Sequence, residues 1–215
     1  MFLKFPVVYL QPYMKDKILH KSAEMFLNLG FKSVTMDDIA GELGVSKKTI
    51  YNHFSNKTDL IKEVTESVFE IVCEGIDIIC DQKKNPIEEL YEIKRFTMEY
   101  LKNEKTSPQH QLQKYYPKIF ATLKQKQFDV MQESVIENLH RGIKDGLYRE
   151  TINVGFISRI YFHGVVGIKD IDLFPLKQFS LNEVMDFYLE YHLRGICTEK
   201  GIDKLNEVIT NNQPK

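Results

Sequence analysis

A short segment after Gly44-Val45 carries a dense set of polar side chains. They combine cations, hydroxyls, an amide and an imidazole: Lys47, Lys48, Thr49, Tyr51, Asn52 and His53. Ammonium groups bind phosphate or the guanine edge, an asparagine amide pairs with adenine, and hydroxyls reach phosphate oxygens. Elsewhere we find no nucleophile beside a base, no zinc motif and no glycine-rich phosphate loop. These residue types indicate recognition of double-stranded DNA. We also predict that the protein is not an enzyme.

The elements around this segment form a helix-turn-helix pattern. Residues 35–38 (Thr-Met-Asp-Asp) are a helix-start signal ahead of an apolar pattern that ends at Leu43. Gly44 stops that helix, and Ser46 can cap the next one. We therefore predict a second short helix over residues 47–53, whose N-terminal residues enter the major groove.

Two longer helices flank this motif. Apolar residues recur at three- and four-residue spacing up to Leu29, where a glycine follows. Asn56 or Ser55 can cap a fourth helix, over about 57–80. We predict a DNA-binding domain over residues 14–60, with the fourth helix connecting it to the rest of the chain.

Residues 81–215 predict a larger C-terminal helical domain for ligand binding and dimerisation. The apolar pattern and the prolines indicate helices at roughly 86–104, 108–116, 118–145, 153–169 and 181–197, with a weaker amphipathic segment near 202–210. Strand-like alternation is nearly absent. The predicted fold class is all-α, with about nine helices.

Composition narrows the functional classes. The 29 basic and 30 acidic residues nearly cancel, so a nucleic-acid partner must be recognised by local residues. No apolar run approaches the roughly 18 residues of a membrane span, so we expect no membrane partner. Three cysteines without CxxC or Cys/His pairing predict reduced thiols in a cytoplasmic protein, with no metal and no cofactor.

Residues 1–13 stand apart as an apolar extension with two prolines. The segment lacks the long apolar core and the cleavage site of a secretory signal. Two interpretations stay open: Met14 is the native start, or residues 1–13 form a loose arm.

Over roughly residues 14–70 the sequence resembles the TetR family (TetR/AcrR type) of transcriptional regulators. The matching residues, in order and at the family's spacing, are Gly30-Phe31, Thr35 with Ile39-Ala40, Gly44-Val45-Ser46, and Tyr51-Asn52-His53-Phe54 followed by Lys57 and Leu60. The resemblance implies a homodimer that binds a near-palindromic operator, usually as a repressor, and releases it when a small molecule enters the C-terminal domain. Two alternatives stay open: a helical interaction protein that has lost DNA binding, and an unrecognised helical enzyme.

Helix-start residues complete the predicted DNA-binding set. Lys57 at the start of the fourth helix would join free N–H groups as a phosphate clamp. Thr35 would cap one helix and donate its hydroxyl outward to a phosphate, whereas His53 either contacts phosphate or faces solvent. The full set is Thr35, Ser46, Lys47, Lys48, Thr49, Tyr51, Asn52, His53 and Lys57.

The DNA-binding segment contains no arginine, although arginine is the best reader of guanine. Residues 14–60 hold seven lysines and six acidic residues, so their net charge is only +1. Base recognition then rests on Lys47 or Lys48 toward guanine and Asn52 toward adenine. Thr49 or Tyr51 would contact thymine.

The C-terminal domain offers two sets of apolar residues. One set would line a cavity for an unknown, largely apolar inducer, unless these residues only form the hydrophobic core. This set is Phe96, Tyr100, Tyr115, Tyr116, Phe120, Phe128, Met131 and His163. The last two long helices show more apolar surface than one face needs, which predicts a dimer interface. Its residues would be Phe156, Ile160, Gly164, Gly167, Val184, Phe187, Tyr188 and Tyr191.

Overall fold

The computed structural model describes residues 13–100 and 108–212, and it confirms the all-α fold. The described residues form ten helices and no strand: α1 Met14–Leu29, α2 Met36–Leu43, α3 Lys47–Tyr51, α4 Lys57–Asp81, α5 Pro86–Tyr100, α6 Pro108–Tyr115, α7 Pro117–Lys144, α8 Val154–Gly167, α9 Leu181–Ile196 and α10 Glu199–Asn212. The predicted extension lies outside the described residues except for Tyr13, which directly precedes α1.

Side-chain caps begin α2, α3 and α4, as predicted. The amide of Asp38 donates to Thr35 Oγ1 at 3.1 Å, and the amide of Thr35 donates to Asp38 Oδ2 at 2.8 Å. Ser46 and Asn56 accept the corresponding amide bonds at the next two starts. Gly44 ends α2 with φ of 64°, a left-handed conformation that glycine adopts without strain. Local signals thus determine all three starts.

The helix α3 is shorter than predicted, because it ends at Tyr51 rather than His53. The Phe54 amide donates to the Ile50 carbonyl at 3.1 Å, and the Phe54 ring is buried. Burying this ring turns the chain inward before α4, so Asn52 and His53 lie in the turn.

Buried apolar residues form two clusters. The N-terminal cluster joins α1 to α4 around Ile18, Phe26, Ile39 and Leu60, and it also contains Leu112 of α6. The C-terminal cluster joins α5 with α7 to α10. The helix α6 therefore packs into the core of the N-terminal helices although it lies far along the chain.

The helix α10 is longer and better packed than the weak segment predicted near 202–210. Leu205 and Val208 are buried in the C-terminal cluster. Lys204 forms ion pairs with Glu88 at 2.5 Å and Glu207 at 3.1 Å. Contacts with α5 and α9 stabilise this helix more than its own pattern indicates.

A buried polar network links the start of α5 to α7. Arg141 Nη2 contacts both carboxylate oxygens of Glu89 at 2.5 Å, and Asn138 Nδ2 donates to Glu89 Oε1 at 2.8 Å. Tyr148 donates to Asn138 Oδ1 at 3.1 Å. The Glu89 side chain is almost fully buried, so these partners, rather than water, supply its hydrogen bonds.

The described residues contain no helix with the length and apolar character needed to cross a membrane. Cys73, Cys80 and Cys197 are free thiols, and burial raises the pKa of Cys80 and of Cys197 to about 11. In the described ranges no three His, Cys, Asp or Glu residues group as metal ligands would.

The burial of His192 leads us to predict that folding stability depends on pH. It is buried beside the rings of Tyr161 and Tyr188, and this burial lowers its pKa from 6.5 to about 4. The unfolded chain therefore binds the proton first, and stability falls as the pH drops from about 6.5 to about 4. We expect the wild type to lose about 3 kcal/mol relative to His192→Phe across this window, measured by urea unfolding.

Exposed His140 provides the matched control, since His140→Gln should follow the wild-type pH profile. Parallel profiles for the wild type and His192→Phe would show that His192 does not carry this dependence.

Candidate nucleic-acid interface

The packing of α2 against α3 leaves one face of α3 exposed. Ile39, Ala40 and Ile50 are buried between the helices, and the amide of Val45 donates to the carbonyl of Ala40 at 3.0 Å. The exposed side chains around α3 are Lys47, Lys48, Tyr51, Asn52 and His53. The structure thus presents most of the predicted DNA-binding set together on one surface.

The two lysines of α3 differ in their contacts. Lys47 Nζ forms a 2.8 Å ion pair with Asp37 of α2, which raises the pKa of Lys47, and it lies 6.0 Å from the centre of the Tyr51 ring. Lys48 is exposed and forms no ion pair with any residue that the structure describes. Lys48 is therefore the lysine of α3 whose ammonium group has no acidic partner among the described residues.

Thr35 uses its hydroxyl differently from the prediction. Its Oγ1 donates to Asp38 Oδ2 at 2.8 Å and accepts from the Asp38 amide, and both Thr35 donors lower the pKa of Asp38. The hydroxyl proton is therefore directed inward, since the carboxylate is a stronger acceptor than water.

Ser46 and Thr49 also face each other. Their hydroxyl oxygens lie 2.8 Å apart, while Ser46 Oγ accepts the Thr49 amide. The pair stabilises the first turn of α3, so both hydroxyls already have a hydrogen-bond partner within the chain.

Lys57 is half-buried at the first position of α4. Its Nζ donates to the carbonyl of Lys32 at 3.3 Å, and burial lowers its pKa. The side chain thus ties α4 to the loop between α1 and α2, and it is more than a solvated surface charge.

The sequence pattern did not indicate the position of Gln111 of α6, which contacts the loop between α1 and α2. Its side chain lies against Gly30, where a Cβ would approach Gln111 Nε2 to 2.4 Å, and its Oε1 accepts from the Lys32 amide at 3.4 Å. Tyr116, after α6, lies edge-on to Phe31 at 6.4 Å. These partners are about 80 residues apart in sequence, so no local pattern signals them.

The predicted ligand residues do not meet in one cavity. Tyr116 and Phe120 pack on the N-terminal cluster, and Met131 packs on the C-terminal one. Phe96 lies against Gly75 and 6.4 Å from Tyr100, and Phe128 lies edge-on to Phe162. Tyr115 and His163 are exposed.

A cavity of about 640 Å³ lies instead between α5, the start of α6, the segment from 168 to 180 and the start of α9. Its size is that of a small-molecule site. Its wall includes Met98, Ile168, Phe174, Phe179 and Val184, with Gln109 of α6 at one side. None of the eight predicted ligand residues lines it.

The predicted dimer residues divide into two groups. Phe156, Ile160, Phe187 and Tyr191 are exposed on α8 and α9. Val184, by contrast, is buried within the chain, and Tyr188 donates to the carbonyl of Tyr161 at 2.9 Å.

The two glycines of α8 also differ. A Cβ at Gly164 would lie 2.1 Å from the ring of Tyr188, whereas a Cβ at Gly167 would meet nothing within 4 Å. The small residue at 164 thus makes room for α9 of the same chain.

An exposed helix on a helix-turn-helix, joined to a helical domain with a cavity, defines a DNA-binding regulator. Comparison with known proteins agrees: residues 18–64 match the model described as bacterial regulatory proteins, tetR family. The matched segment and the full-length relatives described below support a TetR-family transcriptional regulator.

Two curated relatives match along most of their length. The chain is 23% identical over 194 residues to the HTH-type transcriptional repressor KstR2 of Mycolicibacterium smegmatis, covering 87% of this chain and 92% of that protein. It is 25% identical over 192 residues to the uncharacterized HTH-type transcriptional regulator YvaF of Bacillus subtilis, covering 88% and 99%.

Solved structures show the same fold. SmeT, the repressor of the Stenotrophomonas maltophilia multidrug efflux pump SmeDEF, superposes with a TM-score of 0.66 at 17% identity, covering 86% of this chain and 91% of that one. KstR2 of Mycobacterium tuberculosis, a ketosteroid transcriptional regulator, superposes with a TM-score of 0.56 at 19% identity. The match covers 86% of this chain and 95% of that one.

Proposed function

We propose that this regulator is a repressor that binds a near-palindromic operator as a homodimer and releases it when a small molecule occupies the cavity. The exposed face of α3 on a rigid α2–α3 pair carries the proposal. The relatives KstR2 and SmeT are named repressors, which supports repression here. Since its target is the chromosome, the protein would act in the cytoplasm as a binding protein without a catalytic step.

The DNA contacts follow from the availability of each side chain. Lys48 and Asn52 contact base edges, and Tyr51 and His53 reach phosphates beside them. Lys47 joins them after exchanging Asp37 for a phosphate. The N-termini of α2 and α4, with Lys57, hold the flanking DNA backbone.

The two buried clusters support a division of the chain into two functional parts. Residues 14–60 would form the DNA-binding domain, with α4 as its connection, and residues from 81 onward would bind ligand and partner. Exposed apolar residues on α8 and α9 would pair with the same surface of a second subunit. Such a pairing has two-fold symmetry, so it reads two half-sites related by the same symmetry.

The helix α6 would carry the ligand signal to the DNA-binding domain. Its first turn, with Pro108 and Gln109, lines the cavity. Its last turns insert Leu112 into the N-terminal cluster and place Gln111 against Gly30. A ligand that prefers a shifted α6 would thus favour a conformation with altered α3 positions, and operator affinity would fall by its differential affinity.

Selection of bound duplexes from a random pool tests this function. We expect a recovered sequence with two inverted half-sites, and binding that weakens steeply with salt because phosphate contacts release counterions. Failure to bind any duplex at low salt would favour the alternative of a helical interaction protein.

Lys48→Ala is expected to weaken operator binding by about 1–3 kcal/mol if Lys48 reads a base, and the loss should then depend on the base pair opposite it. A phosphate contact alone would give a smaller loss, uniform across sequences. Fluorescence anisotropy with the selected operator and its single-base variants measures both.

Exposed Lys124 of α7 supplies the control, since Lys124→Ala should bind like the wild type. Unchanged binding in both Lys47→Ala and Lys48→Ala would contradict the proposed contact set.

A further inference from the structure

Part of the wall of the cavity of about 640 Å³ is apolar. Met98 of α5 and Val184 of α9 face it together with Ile168. Phe174 and Phe179 close another part of the wall, with their rings edge-on at 6.0 Å. Such a wall binds the hydrocarbon body of a ligand through area removed from water.

The same cavity has a cationic edge. Lys94, Arg95 and Lys169 line it, against Glu99 as the one acidic residue of the described wall. The three cations come from α5 and from the segment after α8, so only the tertiary structure brings them together. This arrangement differs from the largely apolar inducer that the sequence predicts.

We compare these cations by the hydrogen-bond donors that remain for a ligand, and Arg95 is the best candidate. Lys94 is committed to Asp186 at 2.9 Å and is mostly buried. Arg95 is 64% exposed, and its nearest acid, Glu92 at 3.7 Å, already accepts two hydrogen bonds from Lys84 at 2.6 and 2.8 Å. Its guanidinium can therefore donate to a bound acid in the two-bond geometry that carboxylates favour.

We propose that the cavity binds an amphipathic anion, with its apolar body among the aromatic and aliphatic side chains and its acidic head at Arg95. The proposal rests on the proposed function, because it names the class of ligand that would release the operator. A neutral ligand of the same shape would leave the donors of Arg95 to solvent, so the cavity distinguishes acids from their neutral analogues.

Isothermal titration calorimetry of the full chain with dodecanoate, dodecanamide and dodecylammonium tests the proposal. We expect the acid to bind about tenfold or more tightly than the amide, because a hydrogen bond to a charged group is worth more than a neutral one. The ammonium ion should bind least. Shorter and longer members of each series locate the preferred body length.

Arg95→Ala should remove most of the preference for acid over amide while amide binding stays unchanged. Lys124→Ala is the matched control, and melting temperatures show that each variant is folded. Equal binding of acid and amide, no binding by any member of the series, or a preference that survives in Arg95→Ala would overturn the proposal.

Operator binding measured on the same preparations separates the two levels of inference. Protein that binds operator but shows no preference for the acid contradicts the ligand class alone. Protein that prefers the acid but binds no operator contradicts the proposed function alone. Release of operator by dodecanoate, but not by dodecanamide at the same concentration, supports both.

Discussion

Phe187→Glu is expected to dissociate the proposed homodimer and to weaken operator binding by about 10²- to 10⁴-fold, since that is the range lost when two linked binding events become independent. Phe187 is 62% exposed on α9, and Tyr191, one turn later, is 79% exposed. On α8, Phe156 is 59% exposed. Large apolar side chains exposed together on two helices that pack against each other are typical of an interaction surface.

The glutamate would place a charge among these apolar side chains, where a second copy of the chain could not solvate it. Light scattering during gel filtration measures the subunit number, and a titration with the selected operator measures the affinity. The chain itself should stay folded, because Phe187 is exposed in a single subunit.

Ile78→Glu offers the matched control, as Ile78 is 50% exposed on α4, away from α8 and α9. This variant should stay dimeric and bind operator like the wild type. A Phe187→Glu protein that remains dimeric with full operator affinity would show that the dimer uses another surface.

Arg141→Met should destabilise the fold by about 3–5 kcal/mol, since it leaves the buried carboxylate of Glu89 without its main partner. Arg141 bonds both oxygens of Glu89, and its Nη1 also donates to the carbonyl of Lys84 at 3.0 Å. Asn138 alone would then face the charge. Urea unfolding at fixed protein concentration measures the loss, because the stability of the proposed dimer would depend on concentration.

The double variant Glu89→Leu with Arg141→Met should recover most of that loss, since it removes both charges together. Lys83→Met breaks the exposed ion pair with Glu137 nearby, and it should cost less than about 1 kcal/mol. A small loss in Arg141→Met, similar to that of Lys83→Met, would show that water reaches Glu89.

Helix starts and stops in this protein were predictable because their causes lie within a few residues. Thr35, Ser46 and Asn56 each accept an amide hydrogen bond from three positions ahead. Gly44 supplies a left-handed φ where α2 ends. The resulting exposed segment around α3 contains the lysines and the asparagine that the sequence indicated.

Contacts between elements decided what local patterns could not. Asp37 engages Lys47 across ten residues, and Asp38 accepts the hydroxyl proton of Thr35. The same applies to Gly164, which looked like a partner-facing position but receives Tyr188 of its own chain. Side-chain type predicts what a group can bind, but its neighbours decide whether it is already bound.

The sequence by itself determined the helices, the helix-turn-helix and the residue types offered to DNA, because these depend on spacing and on bonds across one turn. Only the tertiary structure decided the position of α6 between cavity and DNA-binding helices, and the meeting of Lys94 and Arg95 with Lys169. These positions depend on packing between residues far apart in the chain. The local sequence around an aromatic residue or a lysine does not show whether the side chain lies in the core, in a cavity or on the surface.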